Sequence, residues 1–90
     1  IFAKEIFEEI SRKDIFSLRA KIIENEQSFG NNYQKLLKDL FEVIFQSKDE
    51  ENKKKMLLLH VSEALYRDNF VVDHEINFFS CLLQLESIVK

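Results

Sequence analysis

One glycine and no proline in 90 residues leave this chain almost nothing with which to interrupt a helix. Apolar residues recur at helical spacing five times along it. The sequence therefore predicts an all-α fold, a compact bundle of about five helices, with residues 1–90 as a single domain.

The first pattern carries Phe2, Ile6 and Ile10 at four-residue spacing, with Ala3 and Phe7 beside them and Lys4, Glu5, Glu8 and Glu9 opposite. Arg12 and Lys13 suit the negative end of that helix. Asp14 is placed to cap a second helix, Ile15 to about Asn25, with Ile15, Leu18 and Ile22 turned inward. The very short connection predicts antiparallel packing of these two helices. A turn follows in which Gly30 is expected to take a positive φ and Phe29 to fold inward. Asn31 or Asn32 should cap the third helix, Tyr33 to about Gln46, whose apolar face is one-sided. Ser47 and Glu50 fit a capping box that would open a fourth helix reaching to about Asn69. Its main stripe is Leu57, Leu58, Val61, Ala64 and Leu65; a weaker one holds Met56, Leu59 and Tyr66. Phe70, Val71 and Val72 are expected to pack across helix ends as a hydrophobic connector, and Asp73 to cap the fifth helix.

That fifth pattern is the unusual one. At about 100° per residue its apolar side chains spread over roughly two-thirds of the circumference, leaving Asn77, Ser80, Gln84 and Ser87 as a polar strip. A chain this small buries only about 60–65% of its unfolded surface, yet 46% of its residues are hydrophobic and nine are Phe. The surplus points to an interface. We expect Phe78, Leu82, Leu85 and Val89 to lie partly on an inter-subunit surface, with Ile76, Phe79 and Leu83 in the core. Tyr66 and Arg67 are expected at the same interface, although Glu63, one turn before Arg67, also fits a surface ion pair with it.

The residues that would carry chemistry are sparse. A lone glycine cannot build a phosphate-binding loop. His60 and His74 fall on different helices without metal-ligand spacing, so no catalytic, cofactor or metal site is expected within this chain. Cys81 sits in an apolar stretch as a small hydrophobe, and a single cysteine excludes an intrachain disulfide, which suits a reducing, cytoplasmic setting. The net charge is −3, and Lys53 to Lys55 are offset by Asp49 to Glu51, so autonomous nucleic-acid binding lacks its electropositive face. No apolar run has membrane-spanning length. The start at Ile1-Phe2, without Met and inside a helical pattern, reads as a domain excised from a longer protein.

The second half also carries a likeness. The runs Leu59 to Asp68, Val72 to Phe79 and Leu82 to Leu85 resemble the C-terminal collar domain of clamp-loader small subunits, in particular the phage and virus type of replication factor C small subunit. Ile10 to Arg19 is similar to that family's first helix-turn and Tyr33 to Ile44 to its middle helix, so the likeness covers nearly the whole chain. The resemblance implies a non-catalytic oligomerisation domain acting in DNA replication. The ATP and Mg²⁺ chemistry would lie in the AAA+ ATPase part of a parent protein. The implied partners are other clamp-loader subunits, with homo-oligomers expected, and the sliding clamp and primed DNA through the parent complex. The alternative from the residues alone is a stand-alone helical DNA-binding or protein-interaction module, with the turn at Arg12 to Asp14 imitating a helix-turn-helix.

Overall fold

The computed structural model describes residues 2–90, and among them five α-helices follow one another with no strand. They are α1 (Phe2–Ile10), α2 (Ile15–Glu24), α3 (Tyr33–Phe45), α4 (Glu51–Arg67) and α5 (His74–Val89), with a short 3-10 turn at Glu26–Phe29. The all-α bundle expected from the spacing is the observed architecture.

Most helix starts follow directly from local chemistry. The first backbone N–H groups of a helix lack partners, and a short polar side chain just ahead can supply one. Asp14 Oδ2 accepts from the Ser17 amide at 3.1 Å, Asn32 Oδ1 from Lys35 at 3.0 Å, and Asp73 Oδ1 from Ile76 at 2.9 Å. Gly30 adopts φ 62° as expected, and Asn31 follows it into the left-handed region at 56°. Asparagine tolerates that region better than most residues.

The start of α4 differs from the expected capping box. Glu50, not Ser47, is the cap: its two carboxylate oxygens accept from the Asn52 and Lys53 amides, both at 2.9 Å. Ser47 is still completing the end of α3, its hydroxyl donating to the Ile44 carbonyl at 2.8 Å. One carboxylate satisfies two orphan amides where a serine satisfies one, so the helix starts later. The lysine run behaves as a solvated, self-neutralised helix start, with Lys53 3.8 Å from Asp49 and Lys55 3.2 Å from Glu51.

Helix α3 is central. It packs against α1, α4 and α5, and its Leu36, Leu37, Leu40 and Ile44 are buried. Onto them close Ile6 and Ile10 of α1, Leu57 and Val61 of α4, and Phe78, Leu82 and Leu85 of α5. Phe29 packs against this core between the rings of Phe2 and Tyr33, and Tyr33 in turn meets Phe78. Burial, reinforced by the hydroxyl's donation to Glu26 at 2.6 Å, raises the Tyr33 phenol's pKa. Helices α1 and α2 are tied by charge: Lys21 Nζ lies 2.6 Å from the buried Glu9 and 3.4 Å from Glu5. Hydrogen bonding from Lys21, with Lys13 on the other side at 3.0 Å, holds the Glu9 carboxyl below its usual range.

The connector between α4 and α5 departs from expectation. Phe70 and Val72 do not cross helix ends; both are exposed, and only Val71 turns partly inward. The buried Asp68, just past the end of α4, is paired across this connector with His74 Nδ1 at 2.8 Å. The contact ties the start of α5 to the end of α4. The Phe70 ring leans on Tyr66 instead, with centroids 5.2 Å apart.

Candidate association surface

Helix α5 meets each of the other four helices or their flanks, so its apolar arc is divided among several neighbours. The direction of that division corrects the expected faces. Phe78, Leu82 and Leu85 are fully buried in the chain's own core, and Val89 is half-buried against it. None of the first three can present an inter-subunit surface in this fold. Ile76 and Leu83, expected inside, are exposed, at 56% and 42%, and Phe79 is intermediate.

The physical reason is Asn77. It looks like part of the solvent-facing strip, yet it is only 5% exposed. Its amide donates to the Ala64 carbonyl of α4 at 3.0 Å, and its Oδ1 accepts from Arg67 Nε at 3.2 Å. A buried polar group is tolerable once hydrogen-bonded. Seating Asn77 against α4 turns the helix by roughly 50° from the orientation its polar residues suggest. The outward face becomes Ile76, Ser80, Leu83 and Ser87.

Arg67 is likewise re-assigned. It does not pair with Glu63; that carboxylate stands 3.6 Å from His60 Nδ1. Arg67 is half-buried and committed to Asn77, with Nη2 buried and without a hydrogen-bond partner among the described residues. Tyr66 is 69% exposed, and with Ser62, Glu63 and Arg67 it lines a shallow surface depression. Of the six residues expected at an interface, then, Tyr66 is displayed, Arg67 and Val89 are partly covered, and Phe78, Leu82 and Leu85 are internal.

What replaces the expected face is a broader one. Met56, Leu59 and Tyr66 of α4, Phe70 and Val72 of the connector, and Ile76 and Leu83 of α5 are all large, apolar and exposed. Phe16 of α2 joins them, 70% exposed, its ring centroid 6.3 Å from that of Phe79. Arg19 anchors α2 beside α5 by donating twice to Glu75, at 2.7 and 2.6 Å, while stacking over Phe79. The weak second stripe on α4 was visible in the sequence; Phe16 was not, because it lies outside the inward stripe of a short helix.

The chemistry within reach of this face is limited. Burial pushes the Cys81 thiol up to about 12, so the thiolate that a nucleophile requires is scarce at neutral pH. Among the described residues no three His, Cys, Asp or Glu side chains gather as a metal-ligand set. The two cations of α2 that a helix-turn-helix would offer to DNA, Arg19 and Lys21, are occupied by Glu75 and by Glu9 and Glu5. No helix among the described residues is long and apolar enough to cross a membrane. Comparison with protein-family models, with curated proteins and with solved structures finds no match.

Proposed function

We propose that this domain is a non-catalytic association module that self-assembles through the outer faces of α4 and α5. The observation that carries the reading is the run of exposed large apolar side chains from Met56 to Leu83, within a fold whose core is already closed. Soluble monomers rarely leave extended apolar patches open to water, and rims of polar residues around such patches mark interaction sites. The finer reading comes from the sequence likeness: a collar domain of a clamp-loader small subunit, working in the cytoplasm as part of a larger AAA+ ATPase that supplies the ATP chemistry. The likeness spans nearly all of the chain, and a collar requires apolar area beyond its own core.

Sedimentation velocity from about 5 to 500 μM tests the association itself. The expected result is a rise in mass above that of the 10.8 kDa single chain. A single-chain mass at every concentration refutes it. The collar reading has its own test: residues preceding Ile1 in the parent protein should contain a phosphate-binding loop and an acidic Mg²⁺ ligand, and their absence there would remove it.

A further inference from the structure

We infer that the association is an isologous pairing of two copies in which α5 packs antiparallel against α5 of the partner, with Ile76 set against the partner's Ser87 and Leu83 against the partner's Ser80. This rests on the association reading above and specifies its partner and register.

The outward strip of α5 is Ile76, Ser80, Leu83 and Ser87, spaced four, three and four residues apart. That is the seam spacing of two packed helices. None of the four is charged, in a chain where 32% of residues are, so the strip lacks the charges a solvated helix face normally carries. Its sizes alternate large, small, large, small. In a parallel pairing Ile76 would meet Ile76 and the serines would face each other across a gap. In an antiparallel pairing about a two-fold axis between Cys81 and Leu82, every large residue meets a small one, and the helices can approach closely along the whole strip. At the rim the same operation brings Asp73 opposite the partner's Lys90.

The flanking helices suit the same two-fold. Ala64 lies against Asn77 and His60 against Cys81, so α4 runs antiparallel to α5 and Leu59 falls beside its midpoint. Arg19 against Glu75 and Phe16 against Phe79 give α2 the same sense on the other flank. An axis crossing α5 in the interface plane keeps each flank on its own side. Leu59 then meets the partner's Leu59, and Phe16 approaches the partner's Phe16. Phe16, Met56, Leu59, Tyr66, Ile76 and Leu83 together offer on the order of 700 Å² of exposed surface, close to the roughly 800 Å² per partner of a standard interface.

Register is tested by mixing two variants of the chain that each carry one added cysteine, Ile76→Cys and Ser87→Cys, under mild oxidation. Both sites are exposed and the native Cys81 is buried. The antiparallel pair predicts disulfides between the two variants in the mixture and few within either alone, since two copies of position 76 would lie about 16 Å apart along the helix axis. Leu83→Glu, at an exposed position, should weaken the dimer roughly 100-fold while leaving the melting curve of the dilute monomer in place. A chain that dimerises but cross-links 76 to 76, or that ignores Leu83→Glu, overturns the pairing and leaves the association reading standing. A chain that never dimerises overturns both.

Discussion

Leu82 and Leu83 are adjacent, chemically identical and placed oppositely, so truncating each in turn isolates what the fold does with them. Leu82 has no exposed surface and is packed between α5 and the core; Leu83 is 42% exposed. Leu82→Ala removes about three carbons at roughly 0.8 kcal/mol each and leaves a cavity, for a total of about 3 kcal/mol or more. Leu83→Ala loses only the covered part of the side chain and leaves no enclosed void, about 1 kcal/mol or less. For a domain this small each kcal/mol moves the melting temperature by about 4–8 °C, so the first variant should melt on the order of 15 °C lower and the second within about 5 °C of wild type. The assay is thermal unfolding by circular dichroism at a few μM, where association contributes little. The same two variants should exchange roles in sedimentation at high concentration, where Leu83→Ala weakens assembly. Equal shifts, or a larger shift for Leu83→Ala, would show that α5 is rotated away from the orientation described here.

Asn77→Ala strips Arg67 of its partner and should lower stability by about 1–3 kcal/mol, read by urea titration; a neutral result would mean that Asn77 does not set the rotation of α5. The depressed Glu9 carboxyl contributes stability that is present above its ordinary pKa of 4.5 and is lost as pH falls through the lower folded value. Glu9→Gln should therefore be less stable than wild type at neutral pH, with the gap closing as pH falls below 4.5 and through the lower folded value; a gap independent of pH contradicts the Lys21 and Lys13 pairing. Cys81 should react with a thiol reagent only as fast as the chain opens, its burial and raised pKa both protecting it, and rapid labelling of the native protein would contradict its place in the core.

Helix positions were legible because they depend on neighbours in sequence. Asp14, Asn32, Asp73 and Gly30 act within three residues of themselves, and each behaves as its type and place imply. The faces of α1 and α3 were legible for a related reason: each has one apolar side, so only one rotation buries it. Helix α5 offers no such choice. Its apolar arc is wide enough for several rotations to satisfy burial, and the one adopted is fixed by Asn77 and Arg67, a hydrogen-bonded pair between two helices ten residues apart. The pairing of His74 with Asp68 and the outward Phe70 and Val72 have the same origin. Each depends on where a neighbouring helix ends in space, and side-chain period along one segment does not carry that information.

A dilution series followed by amide NMR bears most directly on whether the outer faces of α4 and α5 are where copies meet. Between about 10 and 500 μM the signals of Leu59, Tyr66, Ile76, Ser80 and Leu83 should shift and broaden with concentration, while those of Leu37 and Leu40 in the core stay fixed. Spectra that superimpose across the series, or changes confined to α1 and α3, would contradict a domain built to associate through this surface.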